Sequence, residues 1–275
     1  MQDKTLRIAE QGALLVGLAF MWGSAFLFVK IALADFTPLG IVGGRLIVAV
    51  LILGLVVWLS DQQLPRDRRS WSFFLALGII GNIAPFFLIG WGQERIPSAL
   101  AALVMGFVPI STAILAHFFT RDEPMHRMKL IGIAVGFSGL IVLFGGEAMN
   151  HDVGADLLGL LAVFGAACGY AASNILARKV ERIAPQSVAL GVMLCAGVIA
   201  LPLWLLTEGL PLQAGWGPLG AVLWIGVVST ALPAITLFRL VSLAGATVTS
   251  YTNYLVPIVG MSLGAIFLSE ALTWD

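Results

Sequence analysis

An internal repeat constrains this chain more than any other feature of its sequence. Two apolar stretches correspond without a gap at an offset of 148 residues, so that Pro85 corresponds to Pro233 and Pro109 to Pro257. The residues around each proline lie in segments long enough to span a bilayer. A duplicated membrane unit with prolines at matching depths is typical of secondary transporters.

The composition requires a lipid environment. Of 275 residues, 59% are hydrophobic and 11% are charged, whereas soluble domains carry roughly a quarter charged residues. Lys+Arg and Asp+Glu are equal at 15 each, so the net charge points to no nucleic acid as a partner. Cys168 and Cys195 lie inside apolar runs, and we expect them to pack between helices without a disulfide.

Apolar runs of about 20 residues predict membrane-spanning helices, because a helix satisfies its own backbone hydrogen bonds in lipid. The first run is too long for a signal peptide and is interpreted as a retained span. The sequence contains nine such runs: Gly12–Leu33, Pro38–Leu59, Trp71–Gly92, Ala99–Phe119, Met128–Gly145, Leu157–Ala177, Ser187–Leu206, Leu219–Val241 and Ala246–Leu268.

The basic residues predict the orientation. With the N-terminus in the cytoplasm, twelve of the 15 Lys and Arg residues fall on the cytoplasmic side. Only Arg95 falls outside, and Lys30 and Arg45 lie within spans. This bias follows the positive-inside rule and predicts a multi-pass protein with a cytoplasmic N-terminus.

The repeat also predicts the architecture. An odd number of spans per copy inverts the second copy relative to the first. We therefore predict an all-α membrane protein of two inverted five-helix repeats, residues 1–147 and 148–275. The partner of the fifth span would fall at about 276–293, beyond Asp275, so the tenth helix of this ten-helix fold is expected to be missing from the sequence and nine spans to be present.

The matched prolines are interpreted as helix kinks that line a cavity. Each of Pro85, Pro109, Pro233 and Pro257 removes a backbone donor and frees a carbonyl in the preceding turn. In a membrane such a carbonyl must face protein or a watery cavity. The alternative is a structural kink without solute contact.

Polar and aromatic residues cluster around these prolines and in the first span of each copy. Polar side chains in lipid usually face inward, and aromatic rings with amides suit an apolar solute that has a polar head. The alternative role is hydrogen bonding between helices. The predicted substrate-binding residues are Trp22, Asn82, Phe86, Tyr170, Asn174, Thr230, Tyr251 and Tyr254.

Three ionisable residues are candidate charge partners. Lys30 lies near the outer end of its span and could extend to the interface. Arg45 lies about two turns into the second span, where it could pair with a carboxylate such as Glu94 or meet a carboxylate of the solute. No Asp or Glu occupies the middle of a predicted span, which argues against a proton-coupled mechanism based on a carboxylate.

Motifs for catalysis are missing from the sequence. It contains no His-Glu-x-x-His, no P-loop and no Gly-x-Gly-x-x-Gly, and His117, His126 and His151 are scattered. We therefore predict no enzyme activity, no cofactor and no metal site. The oligomeric state is left open.

Several motifs carry a resemblance to a known family. These are Trp22-Gly23-Ser24 with Lys30, Pro38 followed by Arg45, Pro109, and Tyr254-Leu255-Val256-Pro257 with Glu270 near the end. In this order they resemble the drug/metabolite transporter superfamily of the EamA type, and the overall pattern is similar to that of the YddG-like amino-acid exporters. The resemblance implies ten helices, a central cavity and export across the bacterial inner membrane.

Together these observations predict an inner-membrane secondary transporter that exports small metabolites by alternating access, and the resemblance implies that these are chiefly aromatic and other neutral amino acids. Transport of another solute class, such as a drug or a sugar-nucleotide, is the first alternative. A membrane protein that does not transport is the second.

Overall fold

The structure is a computed structural model of the 275-residue chain. It describes residues 2–119, 131–132, 135, 138, 153–177, 183–237, 239–240, 243 and 252–268. All statements below concern these residues.

Eight helices whose bounds lie within the described residues are labelled here in chain order. Helix α3 contains a π turn over Ile79–Ile83, α4 contains a 3₁₀ turn over Met105–Phe107, and α7 contains a π turn over Val227–Ala231. The bounds are α1 Gln2–Ala32, α2 Pro38–Leu59, α3 Arg68–Gln93, α4 Ser98–Phe119, α5 Val153–Ala177, α6 Pro185–Thr207, α7 Trp216–Leu237 and α8 Thr252–Leu268.

Local chemistry sets several helix starts. Thr37 caps α2, with its hydroxyl oxygen accepting from the Gly40 N–H, and Pro38 occupies the first turn, where no backbone donor is needed. Asp67 caps α3 by accepting from the backbone N–H and the hydroxyl of Ser70, both at 2.8 Å. These hydrogen bonds hold the pKa of the Asp67 carboxyl below its usual range.

Seven described helices are long and apolar enough to cross a membrane, and Thr252–Leu268 is a shorter apolar helix. Large apolar side chains cover the outside, including Leu51, which is 69% exposed, and Trp58, which is 75% exposed. An apolar exterior of this extent requires lipid. The chain is therefore a multi-pass membrane protein, as its composition predicts.

Helices α2 and α6 pack against each other and run in opposite directions. Before the start of α2, the Thr37 hydroxyl donates to the Glu208 carboxylate just after the end of α6. At the other end, the Ser187 hydroxyl near the start of α6 donates to the Gln63 carbonyl at 3.1 Å. The two helices occupy matching positions in the predicted repeats.

Helices α1 and α5, which open the two predicted repeats, also run in opposite directions. At the end of α1, the Lys30 Nζ donates to the carbonyl of Gln93 at the end of α3, so α1 and α3 are parallel. Helix α5 is antiparallel to α3, because Gly92 lies against Gly159 whereas Gly81 lies against Ser173.

The two π turns correspond at the offset of the sequence repeat. Val227–Ala231 lies 148 positions after Ile79–Ile83. In the first turn Asn82 Nδ2 donates to the Leu77 carbonyl at 3.1 Å, and in the second Thr230 Oγ1 donates to the Ile225 carbonyl at 2.8 Å. The repeat thus extends from the sequence to backbone geometry and to side-chain hydrogen bonds.

Close packing at the first π turn depends on Gly169 in α5. A Cβ atom at this position would lie 2.9 Å from the Ile80 carbonyl oxygen and 3.1 Å from Pro85 Cγ. The Gly165-x-x-x-Gly169 pattern therefore serves helix packing, as small residues do in membranes. Cys168 and Cys195 are both free thiols.

Parts of the predicted architecture stay predictions. The fifth predicted span, Met128–Gly145, lies mostly outside the described residues, and the tenth helix stays a prediction. The division into two inverted repeats, residues 1–147 and 148–275, and the total of nine spans are therefore proposals that the helix directions above support.

Candidate functional site

A cavity of about 360 Å³ lies among helices from both parts of the chain. This volume lies near the lower end of the range of about 300–1,000 Å³ for small-molecule sites. Its polar and aromatic wall residues are Trp22, Arg45, Asn82, Phe26, Phe86, Tyr170, Ser173, Asn174, Ser229, Thr230 and Asn253. Apolar residues such as Val29 and Met193 complete the wall.

Wall residues occur in pairs related by the repeat offset. Trp22 corresponds to Tyr170, and Asn82 corresponds to Thr230, and all four line the cavity. The same holds for many of the other wall residues: Ala25 with Ser173, Phe26 with Asn174, Gly81 with Ser229, Arg45 with Met193, Phe86 with Ala234, Ile89 with Leu237, Met105 with Asn253, and Val108 with Val256. Positions related by the offset of 148 residues therefore face one shared space.

The structure brings six of the eight predicted substrate-binding residues to this cavity: Trp22, Asn82, Phe86, Tyr170, Asn174 and Thr230. Tyr251 lies outside the described residues. The structure does not place Tyr254 in the cavity wall as predicted. Its side chain is 57% exposed and does not line the described cavity. Asn253 and Val256 lie three positions apart on the inner face of α8, and Tyr254 is rotated about 100° from Asn253.

Three of the four predicted kink prolines follow an interruption of regular α-helix. Pro85 and Pro233 each come two positions after a π turn, and Pro109 comes two positions after the 3₁₀ turn. Pro233 also lines the cavity. Pro257 instead lies within the continuous helix Thr252–Leu268. Turns of these kinds in membrane helices often mark functional sites or hinges.

Arg45 is buried in the cavity wall and held by neutral partners. Its Nε and Nη2 donate to Thr230 Oγ1 at 3.1 and 2.9 Å. Its guanidinium carbon lies 3.4 Å from the centroid of the Phe86 ring. The Phe86 and Tyr170 rings form an edge-to-face pair with their centroids 6.5 Å apart. A guanidinium over an aromatic face is a favourable cation–π contact, strongest where water is excluded.

The suggested pairing of Arg45 with Glu94 is not what the structure contains. The Glu94 Oε2 instead lies 3.2 Å from the Arg95 Nη1, just after the end of α3. Lys30 does not extend to the interface alone, since its Nζ donates to the carbonyls of Gln93 and Ile96 at 2.5 and 3.3 Å. An ammonium at the carboxyl end of a helix is favourable because it faces unpaired carbonyls.

Sequence reasoning missed the polar Ser229 and the polarisable Met105 and Met193 in the wall. The Ser229 hydroxyl is buried and has no hydrogen-bond partner among the described residues. Its place could have been found from the repeat, because it precedes Thr230 as Gly81 precedes Asn82. Met193 could have been found in the same way, as the counterpart of Arg45.

These features define a helical multi-pass membrane protein with a cavity whose largely apolar wall carries a few polar groups. A family model described as the EamA-like transporter family matches residues 12–145 and 157–275. The chain belongs to this family and is a membrane transporter of small solutes.

Several bacterial proteins are similar to this chain over most of their length. The uncharacterized transporter YvbV of Bacillus subtilis is 28% identical, covering 98% of this chain and 88% of its own. The uncharacterized inner membrane transporter YedA of Escherichia coli is 26% identical, and the match covers 94% of this chain and 83% of YedA. An S-adenosylmethionine/S-adenosylhomocysteine transporter of Chlamydia trachomatis is 27% identical over 92% and 80%.

A solved crystal structure has the same fold. The superposition covers 96% of this chain and 99% of the crystallised chain, with a TM-score of 0.62. At 17% identity this likeness concerns the fold alone.

Proposed function

We propose that this protein exports small metabolites across a bacterial inner membrane, chiefly aromatic and other neutral amino acids, by alternating access. The solute occupies the cavity between the two copies of the repeat. The N-terminus is cytoplasmic, as the distribution of Lys and Arg indicates. The residues that bind the solute are the six predicted residues that line the cavity, with Arg45 and Ser229.

The observation that carries this proposal is the composition of the cavity wall. The rings of Trp22, Phe86 and Tyr170 offer flat apolar area, and the amides of Asn82 and Asn174 offer directed hydrogen bonds. A solute with an aromatic body and a small polar head matches both. The volume of about 360 Å³ suits a molecule of the size of one amino acid.

Amino-acid derivatives form a second group of candidate solutes. The chlamydial relative is named a transporter of S-adenosylmethionine and S-adenosylhomocysteine, and both compounds carry an α-amino carboxylate head on a larger body. A shared head group would connect that solute class to free amino acids, so S-adenosylmethionine belongs among the solutes tested.

Sugar-nucleotides and cationic drugs fit the cavity less well. A sugar-nucleotide needs several cations for its phosphates, and Arg45 is the one cation among the described wall residues. Efflux of a cationic drug is helped by a buried carboxylate, and none of the described wall residues is Asp or Glu.

Flux into proteoliposomes tests the proposal. Vesicles containing the purified protein are expected to accumulate labelled L-tryptophan and L-phenylalanine faster than empty vesicles, with saturation and with competition by unlabelled solute. Flux equal to that of empty vesicles for these two solutes, leucine and S-adenosylmethionine would overturn the proposed substrate class.

A further inference from the structure

The cavity holds a positive charge that its described walls do not neutralise. Among the described residues that line it, Arg45 alone carries a charge, and the residue is 5% exposed. Its described partners, the Thr230 hydroxyl and the Phe86 ring, are both neutral. Since a buried charge is costly unless an opposite charge or strong acceptors meet it, an anion in the cavity would stabilise this arrangement.

The guanidinium retains donors for such an anion. Nε and Nη2 both donate to the same oxygen of Thr230, and Nη1 has no hydrogen-bond partner among the described residues. Phe86 covers one face of the group, so a ligand is best placed in the guanidinium plane, at the edge formed by Nη1 and the second hydrogen of Nη2. This edge matches the two oxygens of a carboxylate.

A second polar group without a partner among the described residues lines the same cavity. Ser229 precedes Thr230 in the π turn and lines the cavity, and its buried hydroxyl has no partner among the described residues. Buried hydroxyls are normally hydrogen-bonded. A solute head group at Arg45 could supply the missing partner.

The repeat offset relates two opposite ends of the cavity wall, here called its poles, and only one of them has this chemistry. The counterpart of Arg45 is Met193, and the counterpart of Phe86 is Ala234, and all four line the cavity. The related surface of the other copy therefore presents a thioether and a methyl group where the first presents a cation on a ring. The two poles differ in charge although the backbone that builds them is repeated.

The antiparallel packing of α2 and α6 separates these poles along the membrane normal. Arg45 lies about two turns after the start of α2, towards the end where Thr37 meets Glu208. Met193 lies about two turns after the start of α6, towards the end where Ser187 meets Gln63. A solute with one charged and one apolar end therefore fits the cavity in one orientation.

We propose that Arg45 binds the carboxylate of the transported solute, and that the apolar body of the solute extends towards Met193. This inference rests on the proposed function, because it takes an amino acid as the solute. It adds that recognition depends on the carboxylate, whereas the ammonium group is dispensable, since the described wall residues include no Asp or Glu to bind it.

Three analogues of one solute test the inference by binding to the purified protein, measured as thermal shift and as competition with labelled L-tryptophan. L-Tryptophan has both charged groups, indole-3-propionate lacks the ammonium, and L-tryptophanamide lacks the carboxylate. We expect indole-3-propionate to bind within a few-fold of L-tryptophan and L-tryptophanamide to bind about 10- to 100-fold more weakly, as the loss of a charge-assisted hydrogen-bonded pair requires.

Variants of Arg45 connect this preference to the residue. Arg45→Met, which installs the residue of the matching position, is expected to weaken L-tryptophan and indole-3-propionate about 10- to 100-fold and to leave L-tryptophanamide within about threefold. Arg45→Lys keeps the charge but loses the planar edge that donates two parallel hydrogen bonds, and it should retain a reduced preference for the carboxylate. If Arg45→Met does not fold, the intermediate preference of Arg45→Lys carries the test.

Arg95→Met is the matched control, because Arg95 also stacks on an aromatic ring, with its guanidinium carbon 3.5 Å from the Trp91 ring centroid, but lies outside the described cavity wall. Its analogue preference should equal that of the parent protein. Equal weakening of all three analogues in Arg45→Met, or equal binding of the amide and the acid by the parent protein, would overturn the role of Arg45. Failure of the parent protein to bind any of the three would overturn the proposed substrate class, and this inference with it.

Discussion

Replacing Ala234 by tryptophan is expected to reduce solute flux in proteoliposomes to the level of empty vesicles while the protein still folds. Ala234 lines the cavity at the position that corresponds to Phe86. A tryptophan side chain there would occupy a large part of the cavity of about 360 Å³ and would leave too little room for an aromatic solute. The measurement is initial uptake of labelled L-tryptophan, with folding checked by size-exclusion chromatography and thermal unfolding.

Leu232→Trp is the matched control for this prediction. Leu232 lies two positions away on the same helix, but its side chain is 37% exposed and does not line the described cavity. The extra volume then faces outward, and flux should stay near that of the parent protein. Equal flux in both variants would mean that the solute takes another path.

Replacing Gly43 by leucine is expected to produce a large loss of stability at the crossing of α2 and α6. A Cβ atom at Gly43 would lie 2.3 Å from the Trp204 ring, and Trp204 is itself 5% exposed. Because the ring is enclosed by other buried residues, α2 and α6 would have to separate. Overpacking of this kind costs about 3 kcal/mol, which should appear as a clear drop in the unfolding temperature in detergent.

Gly54 provides the comparison on the same helix. No heavy atom lies within 4 Å of a Cβ atom built there, so Gly54→Leu adds an apolar side chain in open space. It should leave the unfolding temperature unchanged or raise it slightly, because leucine favours a helix by nearly 1 kcal/mol over glycine. Similar losses in Gly43→Leu and Gly54→Leu would contradict the described packing of α2 on α6.

The helices could be predicted from the sequence because a bilayer imposes a simple rule of length. Predicted Pro38–Leu59 has the bounds of α2, and predicted Trp71–Gly92 differs from α3, Arg68–Gln93, by three residues or fewer at each end. The π and 3₁₀ turns inside the helices were harder to predict from the sequence. Pro85 and Pro233 predict an interruption, but the type of turn depends on packing against the neighbouring helices, such as Gly169 on Ile80.

The cavity residues could be predicted to the extent that the repeat placed them. Asn82 and Thr230 were identified together because they precede matching prolines, and both line the cavity. Tyr254 was assigned wrongly because adjacency to Pro257 does not fix the side of the helix. The partners of Arg45 could not be predicted either, since Thr230 lies 185 positions away along the chain.

The most direct test of alternating access is the accessibility of one cavity position from both sides of the membrane. Ser173 lines the cavity, and Ser173→Cys can be made in a protein whose Cys168 and Cys195 are replaced by alanine. If the cavity opens alternately to the two sides, an anionic membrane-impermeant thiosulfonate will modify the new thiol in right-side-out and in inside-out vesicles, and L-tryptophan will slow both reactions. Modification from one side only, or reactions that L-tryptophan does not slow, would contradict a solute path through this cavity.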